Sequence, residues 1–453
     1  MVILCLYTYL YKDFMKIYYG NETKKALKNF PFSMHSVKEE FILSIVKIKK
    51  AGAVANYKAG NLSLLVKNAI VKSCDEILDN KHASQFILSS FQGGAGTAIN
   101  MNVNEVLANR ATEILKNKII VNAFDDVNCS QSTNDVNPSA LKISTYILLK
   151  ELDFVLDSLI KSLELKSKDF KKILKLGRTH LQDAIPTTLG EEFSAYVDNL
   201  KKHQDGLRNV LNLSRILNLG GTAIGNSMNA SPIYIKEVYI ELNKITAGNF
   251  VKAKNFMAKT SSHTDFLTIS QNIVSLCVEL SKIASDIRFM SSGPIGGIGE
   301  IVLPELQKGS SIMPGKINPV IPEVVNQLYY LVSGNNLIIE KASEGAQMEL
   351  GVMLPIISDK LLESIKITTE TINQFDKLCI SGIKANKEKC LFHLENSTAY
   401  ATLLVPRLGY DLVSKIVNES IKSKRKLRDV VINDKYLSSH EFDKIISSFI
   451  KVL

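Results

Sequence analysis

The sequence predicts an all-α protein. Apolar residues recur at three- and four-residue steps over long stretches, and the alternation that strands need is scarce. Helix breakers are few within residues 140–175, 190–217 and 262–290, so helices of more than twenty residues are expected there. Long antiparallel helices with apolar stripes pack as bundles.

Each element has its own signal. Residues 1–10 are almost wholly apolar, lack a basic leader and are too few to span a bilayer. Translation is expected to start at Met1 or at Met15, just before Lys16-Ile17-Tyr18-Tyr19-Gly20. A glycine-rich stretch, 91–102, precedes a helical pattern over 103–114, and a polar stretch, 127–135, precedes Pro138, read as a first-turn proline. Ile143, Ile147, Leu148, Leu152, Val155, Leu156, Leu159 and Leu163 then form one long stripe. Residues 177–186 read as a polar turn after that helix, and 264–287 and 323–337 as long buried helices. Residues 299–303 alternate and suggest a short hairpin arm. Asn318 is expected to cap the helix that carries Glu323. Several stripes are too apolar for one buried face, so part of the helical surface is expected to pack against other subunits.

Composition narrows the function. A chain of 453 residues has room for two or three domains, and 45% hydrophobic content is ordinary for a globular protein. The six cysteines show no paired or metal-ligand spacing, which fits free thiols in a reducing, cytoplasmic setting. The net charge is +10, yet the densest basic run, 422–428, carries no interleaved aromatics and reads as a solvated face, so neither nucleic acid nor membrane is expected as a partner. Residues 93–97 lack the Gly-Lys-Ser/Thr ending of a phosphate loop, and 293–299 do not sit in a strand–helix nucleotide unit. No nucleophile elbow or zinc-ligand spacing is present.

Four polar clusters carry chemistry. The densest is Gly309-Ser310-Ser311-Ile312-Met313-Pro314-Gly315-Lys316-Ile317-Asn318-Pro319. The others are the Gln92–Thr97 segment, Ser132-Thr133-Asn134, and Thr179-His180 within Gly177-Arg178-Thr179-His180-Leu181-Gln182. Three precede helical patterns, and helix N-termini offer unpaired N–H groups and partial positive charge, ready sites for carboxylates.

These clusters resemble, in order and over the chain from about Tyr18 to the C-terminus, the signatures of the fumarase/aspartase superfamily. The threonine in Ser132-Thr133-Asn134, the Gln92–Thr97 segment and the run from Pro319 to Gln327 are more similar to aspartate ammonia-lyases than to class II fumarases. The resemblance implies an all-α, three-domain aspartase/fumarase-like fold with a central long-helix bundle and boundaries at 1–134, 135–386 and 387–453. It implies a homotetramer whose active sites are shared among three subunits, a small dicarboxylate substrate and no cofactor; divalent-cation activation is not readable. It implies roles as well. Ser310 would abstract the Cβ proton of L-aspartate. Lys316 and Asn318 would bind the carboxylate that gathers charge. Thr97, Ser132, Thr133 and Asn134 would hold the amino group and second carboxylate. Thr179 and His180 would complete the pocket, with Glu323 supporting His180. The alternatives are a class II fumarate hydratase and a non-catalytic helical scaffold. The chain also departs from the family pattern: Lys25 and Ile295 stand where arginines are usual, Ala98 and Ile99 replace usual hydroxyl residues, and Val121–Asp126 reads Val-Asn-Ala-Phe-Asp-Asp in place of the family's His-Pro-Asn-Asp segment; lysine lacks arginine's bidentate grip on a carboxylate.

Overall fold

The structure is a computed structural model describing residues 16–33 and 35–450, so the apolar residues 1–10 and the start at Met1 or Met15 lie outside the described residues. The all-α expectation holds. Five helices dominate: Thr133–Asp169, Leu189–Leu213, Thr264–Met290, Val320–Glu344 and Leu354–Leu378. The first has 37 residues and so runs about 55 Å.

The chain forms two compact units. The first gathers residues up to Asp153 with Gly206–Val274 and Leu331–Ile367. Its core is built on the Glu39–Lys58 helix, whose Ala51, Gly52 and Ala55 let neighbouring helices approach closely. Leu64–Leu78, Thr97–Ile114 and Pro232–Thr246 pack around it, burying Ile45, Ile48, Ile70, Val103 and Tyr234. The long helices are laced by polar contacts within this unit: Lys142 pairs with Asp265, and Asn335 Nδ2 donates to Ser364 Oγ at 3.1 Å. Glu105 organises the unit's first helix, Asn21–Asn29. Its carboxylate accepts the backbone N–H groups of Gly20, Glu22 and Thr23 at 2.8–3.1 Å and the Thr23 hydroxyl at 2.6 Å, satisfying donors that a helix start leaves open.

The second unit comprises Phe154–Asp205, Ser275–Tyr330 and Thr368–Leu453. Here Tyr196 Oη donates to Asp286, Ser158 Oγ to Asp376, and Asn326 Nδ2 to both Ser281 and Ser285. A separate apolar cluster, including Leu404, Ile416, Val430 and Phe442, forms the core of the helices after residue 400. Exposed apolar side chains remain on the long helices: Phe154, Val278, Phe289 and Tyr330 in this unit, Leu337 and Ile338 in the first.

Three readings of local structure are corrected. The segment 177–186 is more than a polar turn after a helix: His180 and Leu181 turn, but as the tip of an antiparallel hairpin, Leu174–Thr179 with Gln182–Thr188. A bulge between Leu176 and Arg178 breaks the alternation that would have announced it. Residues 299–303 make no hairpin of their own, since Ile301–Val302 pairs with distant Lys384–Ala385. Pro138 lies inside the Thr133 helix rather than in its first turn. Proline offers no N–H to the carbonyl four residues back, that of Asn134, and Asn218 Nδ2 supplies the missing bond at 3.1 Å.

A buried ion cluster holds the hairpin to the rest of its unit. Glu300 is fully buried and lies 2.8 Å from Arg178 and 3.1 Å from Lys175, which also pairs with Glu192 at 2.7 Å. Burial works against the Lys175 charge, but Glu192 and Glu300 together hold its pKa above the ordinary lysine value. Removing one partner of such a cluster strands the others. Glu300→Ala is therefore expected to destabilise the protein by about 3 kcal/mol, read as a lower urea midpoint; an unchanged midpoint would refute the assignment.

Candidate active site

In the first unit the Thr97 and Thr133 helices begin side by side. Gly96 has φ of 79°, and a Cβ there would lie 2.7 Å from Asn137 Nδ2. Glycine thus lets the Asn137 amide donate to the carbonyls of Ala95 and Gly96 at 3.1 and 3.0 Å, tying the glycine-rich loop to the Thr133 helix. The helix begins at Thr97 itself, earlier than the apolar pattern over 103–114 suggests. Thr97 is exposed, and its hydroxyl donates to Gly94 O at 2.8 Å.

The Ser132-Thr133-Asn134 segment is half-buried and held from below. Asp135, fully buried, accepts the Ser132 N–H at 2.9 Å, Gly220 N–H at 2.8 Å and Thr222 N–H at 3.1 Å. Burial raises its pKa, and these three N–H donors oppose the rise. Thr133 Oγ1 accepts from Asn100 Nδ2 at 3.3 Å. Asn134 Nδ2 is committed to Ala223 O at 2.8 Å, while among the described residues nothing donates to its Oδ1. Thr97 and Thr133 thus open adjoining helices, with Ser132 and Asn134 flanking Thr133.

In the second unit Ser310, Lys316 and Asn318 share one loop. It is closed by Gly309 N–H donating to Lys316 O at 2.9 Å and by Asn318 Nδ2 donating to Gly309 O at 2.8 Å. A Cβ at Gly309 would fall 2.2 Å from Lys316 O, so this close approach requires glycine. Asn318 therefore closes the loop instead of capping the helix, which begins at Val320. Ser310 Oγ accepts the N–H groups of Ile312 and Met313 at 3.2 and 3.1 Å. Lys316 is exposed and has no ion-pair partner among the described residues. A cavity of about 570 Å³ is lined by Lys316, Asn318, Arg288, Ser291 and Ser292.

Glu323 occupies the first turn of the Val320 helix. Thr179 and His180 are exposed at the hairpin tip, where His180 and Leu181 have φ of 55° and 60°. Two successive positive φ angles match a type I′ turn, which usually demands Asn-Gly. Among the described residues no hydrogen bond or ion pair links His180 to Ser310, Lys316 or Glu323; the expected His180–Glu323 support is not formed within the chain.

Sequence reasoning missed the layer beneath these residues: Lys49, Asn100, Asn128 and the role of Asp135. Their signal was polar residues at positions that an apolar helix period assigns to the core, as with Lys49 and Asn100. None of the predicted site residues belongs to a metal-ligand cluster. His35, Asp359 and Glu363 come together among the described residues, but Lys360 Nζ already lies 3.1 Å from Asp359 and 2.9 Å from Glu363. The five described cysteines are free; burial pushes the Cys277, Cys379 and Cys390 thiols up to about 12, which leaves them protonated and inert. Among the described residues no helix is long and apolar enough to cross a membrane.

A fold of long helices with hydroxyl and amide clusters at helix starts defines a class. The chain matches the lyase family over residues 11–334 and the fumarase C C-terminus over 401–449, and it belongs to this fumarase/aspartase superfamily of lyases. It is 40% identical over 436 residues to the aspartate ammonia-lyase of Helicobacter pylori strain 26695, covering 95% of this chain and 93% of that one. A fumarate lyase:delta crystallin structure from Brucella melitensis bound to cobalt superimposes with a TM-score of 0.91 at 40% identity, over 96% of this chain and 95% of that one. The recombinant class II fumarase of Schistosoma mansoni superimposes with a TM-score of 0.92 at 33% identity, over 95% of each chain.

Proposed function

We propose that the protein is an aspartate ammonia-lyase, a carbon–nitrogen lyase that eliminates ammonia from L-aspartate in the anti sense to give fumarate. Ser310 is the base. The observation that carries this reading is the pair of backbone N–H groups aimed at Ser310 Oγ. Serine is a poor base because its alkoxide is costly; hydrogen bonds donated to the charged form lower that cost.

Removal of the Cβ proton leaves an electron pair that delocalises into the adjacent carboxylate. Lys316 meets that developing charge as an unpaired cation, beside Asn318. The pair then forms the Cα–Cβ double bond as the C–N bond breaks. The α-ammonium departs as neutral ammonia, so the leaving group needs no acid. Thr97, Ser132 and Thr133 offer helix-start donors for the other carboxylate, and Asn134 Oδ1 is an open acceptor for the substrate ammonium. Thr179 and His180 complete the pocket. The strained hairpin tip that carries His180 fits a site in which geometry is held for function. This chemistry calls for no cofactor.

The higher identity to the H. pylori aspartate ammonia-lyase, 40% against 33% for the S. mansoni fumarase, favours ammonia over water as the leaving group. L-aspartate is expected to yield fumarate much faster than L-malate does, in parallel absorbance assays near 240 nm; faster malate turnover would make the protein a fumarase. Ser310→Ala is expected to lower kcat by at least about a hundredfold without loss of fold. A well-folded variant of near-normal rate would remove Ser310 from the role of base.

The protein is further proposed to be a homotetramer with each active site shared among three subunits. The exposed apolar side chains on the long helices support this, as does the absence of any described contact between His180 and the Ser310 loop within one chain. Mixing inactive Ser310→Ala and His180→Ala chains should then restore part of the activity, because some sites would receive both intact residues. No recovery in verified mixed tetramers would show that the sites are not shared.

A further inference from the structure

Lys49, in the Glu39–Lys58 helix, is wholly buried. Lysine rarely occupies such a position without partners. Its Nζ donates to Asn128 Oδ1 at 2.8 Å and to Gln131 Oε1 at 3.0 Å. Asn128 Oδ1 also accepts from Asn100 Nδ2 at 3.1 Å and Asn104 Nδ2 at 3.2 Å, and Asn100 continues to Thr133 Oγ1. Gln131 can reach the lysine because Gly52, one helical turn on, has no side chain: a Cβ there would lie 2.6 Å from Gln131 Nε2. On the other side of the turn stands the buried Asp135, accepting the N–H of Ser132. Residues 128–134 thus run between a buried lysine and a buried carboxylate.

We propose that Lys49 is a positioning residue: by donating to Asn128 and Gln131 it fixes the turn that presents Ser132, Thr133 and Asn134 to substrate. The part that concerns substrate rests on the lyase reading above, whereas the clamp on the turn does not. The groups that face this lysine are Asp135 on the Thr133 helix, Cys74 on the Leu64–Leu78 helix and, near Asp135, the buried Tyr234 hydroxyl of the Pro232–Thr246 helix. Burial lowers the Lys49 pKa to about 7, with Asp135 pulling the other way. As an ammonium Lys49 makes both bonds charge-assisted; as a free amine it keeps two N–H groups for them but without the charge, and the bonds weaken. The clamp therefore loosens as pH rises through about 7. Global stability moves the other way. A lysine whose folded pKa is depressed imposes its full burial penalty below that value, and the penalty fades as pH climbs toward the ordinary lysine range.

The test uses the full-length protein with Lys49→Met, which keeps the apolar stem and removes the donor. Hydrogen exchange at pH 6 should show protection of residues 128–134 falling about tenfold, the size expected for one charge-assisted hydrogen bond, with the Leu189–Leu213 helix unaffected. The KM for L-aspartate should rise about tenfold with kcat changed far less. Wild-type KM is expected to rise between pH 6 and 8, and Lys49→Met is expected to show no such rise. Unchanged protection and KM, or an equal loss of protection along the whole chain, would overturn the proposal. If wild-type protein turns over neither L-aspartate nor L-malate, the lyase reading fails and the exchange data alone decide the clamp. Should Lys49→Met not fold, Asn128→Ala removes one of the two bonds from the other side and must show a local loss of protection in 128–134 as well.

Discussion

The way the Thr133 helix begins constrains everything the first unit can offer a ligand. Its first turn must leave N–H groups and hydroxyls pointing outward, yet the backbone just before it sits on the core. Asp135 reconciles the two by accepting three backbone N–H groups from two separate segments, so the helix start and the 218–222 turn are held by one carboxylate. Pro138 enforces the same arrangement from within the helix. The carbonyl it leaves open is taken by Asn218, which also donates to Thr260 and accepts from Ser139. A helix start held this firmly can present Ser132, Thr133 and Asn134 without paying for their ordering when a ligand arrives.

The second unit poses a different problem, since its candidate residues Ser310, Lys316 and Asn318 lie on a loop rather than at a helix end. The loop from Gly309 to Asn318 has little apolar burial to fix it. Its shape comes from two bonds across its neck and from glycine at the one place where backbone meets backbone. The hairpin that carries His180 is anchored instead by the Glu300 cluster, a rigid base of buried charges beneath an exposed, strained tip. Rigid support with an exposed functional tip is a common division of labour between scaffold and loop.

The helices were legible because their apolar period continues over many turns, and the motif clusters because hydroxyls, amides and glycines crowd into short segments. The hairpin was not legible, because Lys175 points inward to an ion cluster and the bulge at Gly177 shifts the alternation. Asn318 has the chemistry of a cap, but its side chain was drawn to a loop carbonyl that only the closed loop places within reach. Lys49 and Lys50 are adjacent and indistinguishable in sequence. One is sealed under the 128–134 turn, and the other is half-buried against Asp75 at the next position around the helix. Partners distant in sequence decide these cases, and no local pattern encodes them.

The geometry at Ser310 bears on the proposed serine base. A hydroxyl oxygen has two lone pairs, and the N–H groups of Ile312 and Met313 occupy both. In that arrangement neutral Ser310 has no lone pair left with which to take a proton from carbon. Loss of its own proton to solvent frees a third lone pair while leaving both N–H bonds in place and strengthening them. The turn therefore favours the alkoxide to the extent that the same two N–H groups bond the charged oxygen more strongly than the neutral one. Lys316, lying in the same loop without an ion-pair partner among the described residues, adds a positive charge of the sign that the alkoxide needs. A threonine at this position would keep the oxygen but crowd the turn with a methyl group, whereas a cysteine would place a weaker, longer acceptor before the same two donors.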